Sequence, residues 1–179
     1  MKKKVLILST SLRKNSNSEI LAEEFVKGAK EAGHDVDQIS LKDKKINFCK
    51  GCLACQTTKR CVMQDDAEVI AQKMMTANVL VFATPIYYYE MSGQMKTMLD
   101  RTNPLFTADY AFRQIYLLAT AADSDQSAID GAIHGLKGWM DCFDKTELKG
   151  VLLGTGVTQA AEISDTPILQ KAYEMGKSI

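Results

Sequence analysis

The chain has no net charge: 22 lysines and arginines balance 22 aspartates and glutamates. Bulk electrostatics therefore gives it no pull toward nucleic acid or an anionic membrane, and neither is expected as a partner. No apolar run approaches the ~20 residues that a bilayer-spanning helix needs. A secretory signal is not expected either. Met1-Lys2-Lys3-Lys4 is followed by only the four apolar residues Val5 to Leu8 before Ser9-Thr10-Ser11, where a signal needs roughly 7–15. The better reading is a buried first strand in a cytoplasmic protein. There is no internal repeat, low-complexity tract or linker, so residues 1–179 make one domain with a substantial core. The two histidines, His34 and His134, have no metal-ligand partner in sequence. Glycines are missing where nucleotide loops need them. No Walker ending follows the first strand, and Gly154-x-Gly156 comes late, with Gln159 where a third glycine would fall.

What is present is a regular alternation. Residues 4–8 form a continuous apolar run that suits a strand buried on both faces. Leu21, Phe25 and Ala29 recur at helical spacing over residues 17–32, with charged residues outside, and Gly33 suits the stop. Residues 34–41 predict a second strand. Residues 42–64 carry neither period. Asp65-x-x-Glu68 resembles a capped helix start, followed by Val69, Ile70, Met74 and Ala77. Residues 78–84 predict a third strand, Ser92 caps a third helix, and residues 115–119 a fourth strand. A helix over 128–140, a fifth strand over 150–153 and a last helix opened by Thr166-Pro167 complete the series. Strand–helix alternation five times over implies a parallel sheet with helices on both faces. In such sheets ligands bind beyond the carboxyl ends of the strands.

Two of those ends are rich in chemistry. The first loop, Ser9 to Ser18, is dense in hydroxyls and amides and carries Arg13 and Lys14. At a helix N-terminus such groups can wrap a phosphate, or one of them can simply cap the helix. The third loop runs Thr84-Pro85-Ile86-Tyr87-Tyr88-Tyr89-Glu90. Its aromatic faces can pack on a flat ligand, or cover a neighbouring subunit. Lys96-x-x-x-Asp100-Arg101 reads as a helix-surface ion pair or as a fixture for the aromatic loop. Met91, Met95 and Met98 read as core or interface filler, and Trp139 as core or dimer interface.

Four of the five cysteines lie within residues 49–61, in a loop too long to be mere connection. Cys49-x2-Cys52-x2-Cys55-x5-Cys61 makes these four candidate ligands of an iron–sulfur cluster. Free or redox-active thiols, and zinc, are the other readings. Beside a cluster, Cys142 would be a spare with a structural role.

Taken in order, Ser11-Leu12-Arg13 with Asn17-Ser18, Cys49-x-Gly51-Cys52-x-x-Cys55 and Cys61, Asp65-Asp66, Thr84-Pro85-Ile86-Tyr87-Tyr88, Ser92-Gly93-Gln94-x-Lys96 and Asp100-Arg101 resemble the NAD(P)H-dependent FMN reductase and iron–sulfur flavoprotein family. The resemblance covers roughly residues 4–156. It implies an α/β, flavodoxin-like three-layer sandwich with a five-stranded parallel sheet in the order 2-1-3-4-5. It implies FMN as cofactor, NAD(P)H as co-substrate, a [4Fe–4S] cluster in some members, and a homodimer or tetramer. Carried over residue by residue, Ser11, Arg13, Asn17 and Ser18, joined by Ser16, would hold the FMN phosphate. Pro85, Ile86, Tyr87 and Tyr88 would lie along the isoalloxazine and ribityl, and Thr120 and Ala121 would close the other side. The family loop usually reads Gly-Ser-Pro-Arg, whereas here Thr10 and Leu12 replace its Gly and Pro.

The expected activity passes electrons from NAD(P)H to a quinone, flavin, nitro or azo compound. No side chain need serve as nucleophile or general acid, so no catalytic side chain is nominated. The alternative is an electron-carrier flavoprotein, with or without a cluster, that has no nicotinamide activity of its own. Such carriers are usually acidic and this chain is neutral. A phospho-receiver would need acidic residues where Ser9 and Thr84 stand.

Overall fold

The computed structural model describes all 179 residues. Its first strand, β1 (Lys4–Ser9), lies in the middle of a parallel sheet with Val5 to Leu8 almost sealed from solvent. A strand can be apolar at successive positions only where both faces are covered. Leu6 and Leu8 enter one core, Val5 and Ile7 the other. The neighbouring β3 (Val79–Tyr87) divides the same way, with Leu80 and Phe82 on one side and Val79, Val81 and Ala83 on the other. With β2 (Asp35–Ser40), β5 (Gln114–Thr120) and β6 (Glu147–Gly154), the order is β2-β1-β3-β5-β6. Counted as parallel strands alone, this is the expected 2-1-3-4-5.

A sixth strand went unpredicted. The two-residue β4 (Glu90–Met91) folds back antiparallel on the end of β3, pairing Ile86 with Met91 and Tyr87 with Glu90. Two residues carry no readable period, and the turn between them is Tyr88-Tyr89 in place of the Asn-Gly that announces such hairpins.

On one face lie α1 (Asn17–Glu31) and α6 (Ile168–Lys177); on the other lie α3 (Asp66–Thr76), α4 (Gly93–Asp100) and α5 (Asp130–Met140). The first pair touches backbone to backbone. A Cβ on Gly28 would collide with the Tyr173 carbonyl, and one on Gly176 with that of Phe25. Serine caps both helices that follow the chemistry-bearing loops: Ser16 Oγ accepts from the Glu19 N–H at 3.2 Å, and Ser92 Oγ from that of Met95 at 3.3 Å.

Two further expectations change, and one alternative is decided. Residues 42–64 contain one short helix, α2 (Ala54–Thr58), flanked by left-handed Leu53 and Lys59; five residues are too few to show a period. Asp65 caps α3 as predicted, but Glu68 turns away from it and accepts the Cys61 N–H at 2.8 Å. Met91, Met95 and Met98 are 4%, 1% and 1% exposed, so they fill the core and offer no surface to a second subunit. No helix is long and apolar enough to cross a membrane.

Candidate functional site at the carboxyl ends of the strands

Because β1, β3 and β5 are neighbours, the loops that leave them stand side by side; Ser9 pairs with Ala83, and Pro85 with Thr120. The first loop is pinned at its start by Thr10. Its Oγ1 donates to the Ala83 carbonyl at 3.0 Å and lies 3.0 Å from Ser92 Oγ. Ser11, Ser16, Asn17 and Ser18 are all buried, while Arg13 is exposed.

These side chains have different employments. Ser16 caps α1. Ser11 Oγ accepts the Arg13 N–H at 3.2 Å. Asn17 donates from Nδ2 to the Gln159 carbonyl at 2.9 Å and accepts the Ile163 N–H on Oδ1 at 3.2 Å. Arg13 Nη1 donates to the Thr158 carbonyl at 2.5 Å. Ala161 N–H donates to the Asn15 carbonyl at 3.0 Å, and both of these residues are left-handed. A strap after β6, residues 157–163, thus completes the first loop. Sequence reasoning missed it because nothing local in residues 157–163 refers to residues 13–17.

Ser18 alone is left over. It is 1% exposed, in the first turn of a fifteen-residue helix, and its Oγ has no hydrogen-bond partner. An unsatisfied buried hydroxyl costs ~1–3 kcal/mol. Free N–H groups and the helix dipole make the same spot attractive to an anion. The orphan hydroxyl therefore fits the phosphate role expected of this loop.

The second loop at this edge is the hairpin. Pro85 and Ile86 are half-buried, while Tyr87, Tyr88 and Tyr89 are 53%, 101% and 61% exposed. Tyr88 and Tyr89 have φ of 52° and 63°. A tight hairpin turn of this kind requires left-handed residues, and for a non-glycine each costs roughly 1–2 kcal/mol. Tyr89 Oη donates to Asp123 Oδ2 at 3.1 Å; that bond, with the carboxylate charge, raises the Tyr89 phenol above its ordinary range. Thr120 ends β5 and Ala121 follows it, 5% and 3% exposed, and the Ala121 N–H is already given to the Gly154 carbonyl at 2.9 Å.

The cysteine loop is closed at its feet by Arg101, whose burial the sequence reading missed. Its guanidinium donates to both Asp65 carboxylate oxygens and to the Asn47 carbonyl, each at 2.7 Å, and to Cys61 Sγ at 3.3 Å. Burial alone would raise the Asp65 carboxyl, but the bonds from Arg101 and from the Asn47 backbone and side chain hold it down to about 2. The adjacent Lys96–Asp100 pair is the predicted surface ion pair, both side chains about half exposed. Cys49 and Cys52 are exposed, Cys61 is intermediate and Cys55 is buried. Burial first, and then the neighbouring Cys61, Cys49 and Cys52, push the Cys55 thiol up. As the loop stands, no three Cys, His, Asp or Glu side chains gather about one point. Cys142 is exposed, and it shares a pocket of about 400 Å³ with Cys49 and Trp139.

Fold and loop geometry together define a flavodoxin-like α/β protein with its candidate site at the carboxyl edge of the sheet. A family model described as NADPH-dependent FMN reductase matches residues 3–156, and the chain belongs to that family. An iron–sulfur flavoprotein of Methanosarcina thermophila is 25% identical over 177 residues, 98% of this chain and 93% of that one. Another, from Methanocaldococcus jannaschii, is 35% identical over 102 residues, 57% of this chain but only 53% of the relative, about half its length. Among solved structures, an azoreductase from Bacillus anthracis superposes with a TM-score of 0.74 at 18% identity, covering 100% of both chains; that likeness is one of fold.

Proposed function

We propose that the protein is an FMN-dependent oxidoreductase that passes electrons from NAD(P)H to a small acceptor such as a quinone, a flavin, or a nitro or azo compound. The observation that carries this reading is the unpartnered Ser18 hydroxyl in the first turn of α1, inside a buried hydroxyl-rich loop. Bound FMN would supply hydride and single-electron chemistry, which no side chain of this chain provides. Ser11, Ser16 and Ser18, with the N–H groups of the first turn, would hold its phosphate. Arg13 would add charge by leaving the Thr158 carbonyl, and Asn17 would keep the loop in shape through the strap. Pro85, Ile86, Tyr87 and Tyr88 would lie against the ring and ribityl, with Thr120 and Ala121 on the far side. The exposed tyrosines of the hairpin favour a homodimer or tetramer, since so much aromatic surface is rarely left wet. We place the protein in the cytoplasm. The test is the visible spectrum of the purified protein, followed by NADPH and NADH oxidation with a quinone acceptor. A colourless protein that takes up no added FMN sinks the reading.

A second reading keeps FMN and adds a [4Fe–4S] cluster, making the protein an electron carrier without nicotinamide turnover. It is favoured by the all-thiol donor set Cys49, Cys52, Cys55 and Cys61 and by the names of the two relatives. These residues would have to draw together to hold it. Anaerobic purification with iron and acid-labile sulfide assay decides: near-zero values after attempted reconstitution exclude the cluster and leave free thiols or zinc.

A further inference from the structure

The tyrosine hairpin is held by more than its own hydrogen bonds. Its ladder has two residue pairs, Ile86–Met91 and Tyr87–Glu90, and its turn puts two tyrosines in the left-handed region. A strained turn on so short a ladder relaxes unless its surroundings over-determine it. The segment after β5 provides that. Tyr89 Oη donates to Asp123. Asp123 is fixed in turn, its Oδ1 accepting the Asp125 N–H at 2.9 Å and its carbonyl accepting the Gly156 N–H at 3.0 Å. At the second residue of α5, Gly131 lies under the Tyr89 carbonyl so closely that a Cβ there would collide with it. On the same helix face, a Cβ on Gly135 would come within 3.1 Å of Met91 Cε and 3.4 Å of the Glu90 carboxylate. With Tyr87 paired to Glu90 and Tyr89 gripped, the backbone of Tyr88 between them has little freedom. Tyr88 is nonetheless wholly exposed.

We propose that Asp123 and Gly131 are positioning residues: they clamp the strained Tyr88–Tyr89 turn and so fix Tyr87 and Tyr88 where flavin and second substrate would meet. The proposal rests on the FMN reading, though neither residue touches the FMN loop. Strain at a fully exposed aromatic has no benefit to the fold, because Tyr88 buries nothing. It has one if the ring must stay at a fixed station beside a flat ligand, where disorder would have to be frozen out on each binding event.

The test uses Tyr89→Phe, which deletes the hydroxyl, and Gly131→Ala, which lifts the hairpin. Asp123→Leu and Asp123→Asn form the rescue pair, since the asparagine amide can still hydrogen-bond the Tyr89 oxygen. Three readouts are taken: hydrogen exchange of peptide 85–91 in the flavin-free protein, fluorescence of bound FMN, and KM against kcat for NADPH. The loss of one hydrogen bond corresponds to about fivefold. Tyr89→Phe and Asp123→Leu should therefore speed exchange in residues 85–91 by about that factor, and Gly131→Ala should speed it through the clash. They should also brighten the bound flavin, by withdrawing the quenching tyrosines, and raise KM more than they lower kcat. FMN affinity should stay within about threefold, and Asp123→Asn should restore wild-type behaviour. Faster exchange with unchanged fluorescence and KM would make the clamp merely structural and overturn the proposal. So would unchanged exchange in all three variants. If the wild type takes up no FMN, the functional reading fails by itself; the proposal, which places the tyrosines beside that flavin, falls with it, and the exchange data show only whether the hairpin is clamped.

Discussion

Replacing Arg101 with methionine should be among the most damaging single changes outside the apolar core. Its side chain is 1% exposed and that of Asp65 is 6% exposed. The guanidinium makes bonds to Asp65, Asn47 and Cys61, and only Nε is left without a partner. Methionine of similar length would fill the space but leave the Asp65 carboxylate buried without its counter-charge, a loss of about 3–5 kcal/mol. Against a typical total of ~5–15 kcal/mol, that is about a fifth of the stability or more. Arg101→Met combined with Asp65→Asn removes both charges and should recover most of the loss, because a buried ion pair is close to neutral against an uncharged replacement. Urea unfolding of wild type, both single variants and the double variant closes the cycle. The pair also predicts a pH dependence. The Asp65 carboxyl is lowered from its ordinary 3.8 to about 2, so the stabilisation is complete above pH 4 and is lost as pH falls toward 2. The shift is worth roughly 2 kcal/mol, and Asp65→Asn should flatten that part of the profile. An Arg101→Met protein that loses less than about 1 kcal/mol, or a double variant as unstable as the single, would refute this account of the pair.

The other predictions concern the phosphate loop and the α1–α6 contact. Ser18→Ala should leave the flavin-free protein as stable or up to about 1 kcal/mol more stable, because the hydroxyl is unsatisfied, yet weaken FMN binding; a loss of stability with unchanged affinity contradicts the assignment. Arg13→Ala should weaken FMN binding by about 1.5–3 kcal/mol, the scale of a charge-assisted hydrogen bond, and unchanged affinity in a fluorescence titration removes Arg13 from the site. Gly176→Val should destabilise by ~1–3 kcal/mol, because its side chain meets the Phe25 carbonyl and the two helices must part. A thermal midpoint equal to wild type would show that α6 can slide without loss.

The parts of the molecule legible in sequence are those where one residue type repeats at one spacing. Val5 to Leu8 announced a doubly covered strand, and Leu21, Phe25 and Ala29 announced the inner face of α1. The caps at Ser92 and Asp65 were legible because each acts within three residues of itself, whereas in the first loop the sequence left open which residue caps α1, and the structure picks Ser16. The tyrosine loop was visible as composition, but its hairpin was hidden, since two tyrosines in a left-handed turn contradict local propensity and are held by Asp123 and Gly131 some forty residues away. Arg101 looked like half of a surface pair because its neighbour Asp100 is one. Its own direction is set by α3 and the cysteine loop, which sequence spacing does not encode. Asn17 was expected in the phosphate loop, while its hydrogen-bond partners, Gln159 and Ile163, lie in a segment with no motif.

That last arrangement bears on when the protein becomes competent. The amide of Asn17 bonds to a residue 146 positions downstream, and Arg13 and Asn15 lean on the same late segment. Chains emerge from the ribosome amino end first, at roughly 5–20 residues per second, so about 7–30 s separate the synthesis of the loop from that of its strap. A nascent chain can lay β1 beside β3 well before then, but its first loop lacks its final shape. With that loop holding the FMN phosphate as proposed, cofactor loading would be a closing event of biogenesis, and a chain cut before residue 158 would be left with a nearly complete sheet and a loop without its strap.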